Sequence, residues 1–264
     1  MGIFPRRILR IMSAFWFTSL AAEMEYRVNF LVAAINSLGQ LAGTLFTLNI
    51  LYRKGYHFAG WSWHEALLVV GLFTLLDGMA STLLSPNLSR IVQHVQNGTL
   101  DFILLKPLDP QFQLSTRNMS PWGFPNVVFA LVLLVYAGMQ VPLPAAAYAL
   151  GIIPMILSGI ILYTLWFAVA TTTIWFTKVW NATEVLRSFL EAGKYPMSAY
   201  PVAYQFFFTF ILPVAFLTTV PAEVMRGQHS AAFILIEAAV ALTLFVVTRC
   251  FWKFALRSYT SASS

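Results

Sequence analysis

The stretch RIVQHVQNGTLDFILLKPLDPQFQLSTR, Arg90 to Arg117, is the longest polar interruption between apolar segments in this 264-residue chain. Its reading decides the fold, because connections inside a helix bundle are usually short and carry no order of their own. Here Leu88, Ile91, Val92 and Val95 recur at helical spacing, and Asn97-Gly98 supplies a helix stop. Asp101 and Lys106 flank Phe102, Ile103, Leu104 and Leu105, after which Lys106-Pro107 and Asp109-Pro110 impose an extended or turned path. The pattern predicts a short surface helix in an ordered platform, residues 86–121, that docks a partner. A helix resting on lipid headgroups is the plainer alternative.

What flanks this platform is apolar. The chain is 59% hydrophobic and 10% charged, with a mean hydropathy of +0.73, whereas soluble domains are about a quarter charged. It is expected to be an all-α integral membrane protein, since a backbone in lipid must satisfy its own hydrogen bonds. Spans of about 20 residues fall at 28–52, 66–85, 122–141, 145–176, 200–220 and 231–252, which makes six transmembrane helices in one domain, 1–264. The fourth is long enough to tilt, project or bend near Pro154, and the fifth is interrupted by Pro213 and closed by Pro221. Residues 211–230 are therefore expected to form a re-entrant segment near the outer face.

Residues 1–25 resemble a secretory signal only superficially. Ile8, Ile11, Met12 and Phe15 lie opposite Arg6, Arg10 and Ser13, and Glu23, Glu25 and Arg27 follow without a cleavage region, which predicts an amphipathic interfacial helix. With the N-terminus cytosolic, only Arg53, Lys54 and Arg226 of the sixteen Lys and Arg fall outside, leaving thirteen inside. This positive-inside bias places both termini and the platform in the cytosol, and it accounts for the net charge of +6 without nucleic acid as a partner. Tyr52, Tyr56, Trp61 and Trp63 read as an aromatic belt on the outer side. Cys250 is the single cysteine, which excludes an intrachain disulfide and reads as a packing residue.

Chemistry-bearing motifs are absent. There is no G-x-x-x-x-G-K-[ST] loop, no G-x-S-x-G turn, and His57, His64, His94 and His229 form no metal-ligand spacing. The chain is thus not expected to be an enzyme or to bind a metal or cofactor itself. Asp77 lies inside an apolar span and should face the bundle, paired with a cation or protonated. Glu237 is expected to reach the outer interface. On the first span Asn36, Gln40, Gly43 and Thr47 share one face, and Gly39 and Gly43 form G-x-x-x-G. This stripe is either a helix contact within one subunit or a surface lining a subunit interface or translocation route. The connection from Lys178 to Pro201 is expected to be cytosolic and structural, with a helix supported by Glu184, Arg187 and Glu191 and stopped by Gly193.

The segments NGTLDFILLKPLDPQFQLSTR (97–117), KYPMSAYP (194–201) and ILPVAFLTTVPAEVMRG (211–227) resemble permease subunits of type-2 ABC exporters, in a branch of uncharacterised permeases. The resemblance implies a bacterial-type inner-membrane subunit that pairs with a second copy or a paralogue. It also implies separate cytosolic ATPase subunits, which bind ATP and Mg. A coupling helix would lie within 88–105, making Arg90, Ile91, Val95, Gly98, Thr99, Leu100, Asp101 and Lys106 the docking residues. The first and fifth spans would line the subunit interface, making Asn36, Gly39, Gln40, Gly43, Thr47 and Asp77 candidates for the path. The rival readings are an ATP-independent ion-coupled carrier or channel using Asp77 and Glu237, and a membrane anchor for a cytosolic complex.

Overall fold

The computed structural model describes residues 3–23, 27–56, 58–141, 143–176, 180–228 and 231–259, with side chains described from Met12 onward and not for Arg27, Trp180, Asn181, Ala182 or Ala231. His57, His229, Lys178 and the side chains of Arg6, Arg7, Ile8, Arg10 and Ile11 lie outside the described part. Twelve α-helices follow in chain order among the described residues, with no strand: α1 (Ile3–Glu23), α2 (Arg27–Arg53), α3 (Trp63–Met79), α4 (Ser85–Gln96), α5 (Leu100–Leu104), α6 (Pro110–Thr116), α7 (Phe124–Gln140), α8 (Ala145–Thr171), α9 (Trp180–Leu190), α10 (Val202–Phe206), α11 (Ala215–Met225) and α12 (Ala231–Arg257).

Five helical stretches are long and apolar enough to cross a membrane: Val28–Arg53, Trp63–Gln96, Pro121–Gln140, Ala145–Ile174 and Ala232–Arg257. The pair 202–211 and 215–225, bent by 99°, makes a sixth if it counts as one span. The chain is therefore an integral membrane protein whose regular structure, among the described residues, is all helical.

Helices α3 and α7 lie antiparallel at close range because their contact carries glycine. A methyl group on Gly71 would come within 2.8 Å of Leu134, and one on Gly78 within 2.9 Å of Val127. Both positions step by seven residues along their helices, so the seam keeps its register. Gly123, opposite Gly78, would drive a side chain into the Gly78 carbonyl and Thr82.

The surface helix expected at 88–95 is not separate from the second span. A π-helical turn at Ala80–Leu84 carries α3 directly into α4, giving one helix of 34 residues. Pro86 has no N–H to offer the Thr82 carbonyl, and the backbone N–H of Ser120 takes it instead at 3.0 Å. Asn87 completes the join, its amide donating to the carbonyls of Leu83 (2.7 Å) and Asn118 (2.8 Å).

Helix α8 stays helical through Pro154. Ser158, one turn on, donates to the Pro154 carbonyl at 2.8 Å. Against α8 pack α11, where Gly151 meets Met225, and α12, where Trp252 stacks edge-on to Phe167 at 5.3 Å. Glu237 does not reach the interface; it is fully buried against Ser158. Cys250, in turn, is exposed rather than packed.

The connection 180–200 also departs from expectation. Phe58 follows α2 at one end of the bundle, and the Tyr195 ring lies 6.4 Å from it. α9 begins just after the opposite end of α8. Eleven α-helical residues and the 3₁₀ turn Glu191–Lys194 rise about 24 Å at 1.5 and 2 Å per residue, so this segment climbs most of the length of the bundle. Gly193 is buried there, and a Cβ on it would come within 3.3 Å of Val214 and 3.4 Å of Phe73 and Thr218.

Candidate functional site

Three polar features stand out in an otherwise apolar bundle: the hairpin beyond α3, a cluster around Asp77, and the naked face of α2.

The hairpin is built from α4, α5 and α6. Gly98, at φ 67°, adopts the left-handed conformation that turns α4 into α5, which side chains other than glycine rarely accept. Asp109 caps α6 by accepting from the Phe112 N–H at 2.9 Å. One side of the hairpin is fastened inward. Ile91 and Leu100 are fully buried and Val95 packs on the core. His94 Nδ1 and Thr99 Oγ1 are 2.8 Å apart, and Arg90 donates to Asn118 Oδ1 at 2.7 Å. Asp101 acts on Tyr259 just beyond α12: burial first, then this carboxylate, raises the phenol above its ordinary value.

The other side faces outward and is unexpectedly apolar. Phe102 is 68% exposed and Leu105 is 82% exposed, with Lys106 beside them. Of the residues named from sequence, then, Arg90 and Lys106 are exposed, whereas Ile91 and Leu100 hold the hairpin to the bundle and cannot themselves touch a partner. Phe102 and Leu105 were not singled out from sequence as exposed residues. Their signal was the i, i+3 apolar pair on the face opposite Leu100 and Ile103.

The hairpin is clamped at its far end by Arg249 of α12. Its guanidinium engages both oxygens of Asp109, with Nη1 3.0 Å from Oδ1, and also donates to Gln111 Oε1 at 2.7 Å. The Arg249 hydrogen bond is the main reason that the Asp109 carboxyl sits below the usual carboxylate range. Helix α1 is lashed to the same region: Trp16 donates to the Thr116 carbonyl at 3.0 Å, Ser19 to Met119 at 2.8 Å, and Trp122 to Glu23 at 2.7 Å.

Asp77 faces the bundle as expected and has partners. Asn126 donates to Oδ2 at 2.8 Å, and Arg187 of α9 lies 3.9 Å from Oδ1. The i, i+3 support expected between Glu184 and Arg187 is replaced by this inter-helix pair. Lys194 pairs with Glu191 at 3.1 Å and sits over the Phe73 ring. A cavity of about 60 Å³ among these groups is also lined by Gln40 of α2.

The stripe on α2 is largely open, although Gln40 borders the Asp77 cavity and Thr47 hydrogen-bonds Tyr195. Asn36, Gly39, Gln40, Gly43 and Thr47 are all exposed, and a Cβ on Gly39 or Gly43 would meet nothing within 4 Å. The contact within one subunit is thus not made at these two glycines.

At the opposite end of the bundle Arg226 follows α11 and seals the α2–α3 loop. Its side chain pairs with Glu65 at 2.6 Å, donates to the Gly60 carbonyl at 2.8 Å and lies 4.3 Å from the Trp61 ring centre. Trp61 is buried beneath it and so is not a membrane anchor, while Tyr52 packs edge-on to Phe58 and Trp63.

Over residues 38–263 the chain matches the model of the ABC-2 family transporter proteins. It belongs to that family. No curated protein and no solved structure matches it. The match begins within α2 and runs through α12, so it takes in the hairpin, the Asp77 cluster and the Arg226 seal of this permease. As a member, the permease is a membrane subunit of an ABC transporter, and the family implies ABC ATPase subunits as its partners.

Proposed function

We propose that this permease is one membrane half of an ATP-driven exporter and that its α4–α5 hairpin seats a separate cytosolic ATPase. The observation that carries the reading is the pair Phe102 and Leu105, exposed on a hairpin whose other face is locked into the bundle. An apolar patch rimmed by polar groups is the usual form of a protein-binding site. ATP and Mg belong to the partner, whose closure would push on a rigid element with two arrangements.

The second half is a further copy or a paralogue, pairing along the α2 stripe. Small residues let helix backbones approach closely in lipid, and Gly39 and Gly43 leave that space free. Asn36, Gln40 and Thr47, backed by the Asp77 cluster, would then line the route. The climb of α9 and the bend at 212–214 support a topology in which α9 and the following turn make the fifth crossing. In it, α10 and α11 dip in from the outer face and return there at Arg226. The basic excess keeps its side, because only Arg187 and Lys194 would leave the cytosolic set. Both termini and the hairpin remain cytosolic, in a bacterial-type inner membrane.

Mild-detergent purification from the native membrane tests the reading. An ATPase subunit in near-equal amount, lost in Leu105→Glu and Phe102→Glu while the permease stays in the membrane, is the expected result. Hydrolysis of ATP by the purified permease alone, or an ATPase retained at the wild-type ratio in both variants, overturns it.

A further inference from the structure

Between α3 and α12 runs a groove with α8 as its floor, and no part of the proposed coupling route uses it. Two cavities compose it, of about 690 and 660 Å³, each within the roughly 300–1,000 Å³ of ordinary ligand clefts. They meet at Leu83, Leu84, Tyr163 and Phe245, which line both. The groove exists because the side chains along it are small: Ala80 on one wall, Gly159 on the floor, Ala238 and Ala241 on the other wall. A Cβ on Gly159 would meet nothing within 4 Å.

The two halves differ in chemistry. The first lies along the apolar lengths of the spanning helices, where Ile156 and Leu242 at its edges are exposed. The second is also largely apolar, with Leu83, Leu84, Phe112 and Phe245 in its walls, but it carries an ordered set of polar groups that the first lacks. Tyr163 turns its hydroxyl there, accepting from Gln111 at 3.0 Å and lying 2.9 Å from Ser115, while Arg249 bonds Gln111 and Asn118 closes the end. Trp16 of α1 roofs this half. Just past Asn118 the next cleft is lined by Arg90 and Arg117. The two spaces share Asn118, and Arg249 in this half with Arg90 and Arg117 in the adjoining cleft thus set three arginines against the carboxylates of Asp109 and Glu23.

We infer that this groove binds a glycerophospholipid with an anionic headgroup from the leaflet at the Arg249 end. One acyl chain lies between α3 and α12, and the phosphate sits among Arg249, Asn118 and Arg90. The match is in the order of the parts. Apolar walls at the depth of the hydrocarbon give way to a Trp and a Tyr at headgroup depth, then to a cationic mouth that attracts anionic lipid. A second copy of the chain has the open α2 face instead. The bound lipid would brace the junction of α12, α1 and the hairpin, and this holds whether or not ATP drives the permease.

The test uses the purified full-length permease in nanodiscs of phosphatidylethanolamine and phosphatidylglycerol, with a trace of phosphatidylglycerol carrying a photoactivatable diazirine in its acyl chain. After irradiation, labelled peptides are mapped by mass spectrometry. Label is expected to concentrate on 76–84, 155–163 and 238–245. It should fall roughly tenfold there in Gly159→Leu, because a packed interior has no room for both an added isobutyl group and a lipid chain. Label around the exposed Val132 and Tyr136 of α7 should stay unchanged as a measure of ordinary bilayer contact. If Gly159→Leu does not give a monodisperse protein, Ala238→Leu fills the same space from α12. Even labelling of all lipid-facing helices, or labelling unaffected by filling the groove, overturns the site. Equal labelling of the same peptides by a phosphatidylcholine probe overturns the anionic headgroup.

Discussion

Arg249, near the end of the last helix, holds the Asp109 carboxylate through both of its terminal nitrogens. The contact spans 140 residues and joins α12 to the N-cap residue of α6. Planar, two-point geometry of this kind is the strongest form of ion pair. Its side chains are 31% and 40% exposed, which holds its worth to about 0.2–1 kcal/mol.

The pair makes stability depend on acid in a definite direction. Asp109 titrates below its unfolded value of about 3.9, so its contribution is complete above that pH and is lost as the pH falls through the lowered folded value. Thermal unfolding in detergent should show the melting temperature of the wild type dropping more steeply below about pH 4 than that of Asp109→Asn. Identical slopes would mean that the clamp contributes nothing.

The two faces of the hairpin should separate under mutation. Ile91→Ala opens a cavity at a fully buried position and should lower unfolding stability by about 2–5 kcal/mol. Phe102→Ala, at an exposed position, should change stability by no more than about 0.5 kcal/mol while weakening ATPase retention. Denaturation and co-purification of the same samples provide both readings. A strong loss of stability in Phe102→Ala would mean that its ring packs inward.

Gly98→Ala places a methyl group on a left-handed residue, a cost of about 1–2 kcal/mol. The expected result is partial fraying of the α4–α5 turn, seen as faster amide hydrogen exchange at Thr99 and Leu100, with α3 and α7 unchanged. Exchange equal to wild type would show that the turn relaxes without cost.

Gly43→Leu should leave the melting temperature of the isolated permease unchanged, because nothing lies within 4 Å of that position, and should abolish association with the second half. Cross-linking in native membranes reads the association. A dimer that persists assigns the stripe to lipid.

Gly123→Ala is expected to be the most damaging single methyl group in the protein, since it collides with the Gly78 backbone. Overpacking costs typically about 1–3 kcal/mol, and backbone cannot rotate aside as a side chain can. Reduced membrane accumulation and a lower melting temperature would measure it.

Much of this architecture is visible in the sequence, because lipid enforces long apolar helices and glycine marks turns. The stop at Gly98, the inward face of Asp77 and the break near Pro213 all follow from single residues and their neighbours. The segment 180–194 could not be read that way. Glu184, Arg187, Glu191 and Lys194 give it the composition of an aqueous loop, yet Arg187 meets Asp77 of α3 and Lys194 meets both Glu191 and Phe73 against the side of the bundle. A hydropathy scale charges each ion separately and has no knowledge of a partner a hundred residues away. Glu237 fails for the related reason that its neighbour Ser158 comes from α8. The outward turn of Phe102 and Leu105 was legible only once Leu100 and Ile103 were known to point in.

The uninterrupted run from Trp63 to Gln96 has a mechanical consequence. Its 34 residues extend about 50 Å at 1.5 Å per residue, well beyond the roughly 30 Å hydrocarbon slab. One end is pinned at Glu65 by Arg226, and the other carries the hairpin. The π-turn at 80–84, with its Thr82 carbonyl handed to Ser120, divides the run into a longer arm and a shorter one. If the hairpin seats an ATPase as proposed, a displacement there would reach the Arg226 seal through this single helix, and a softer joint would absorb it on the way.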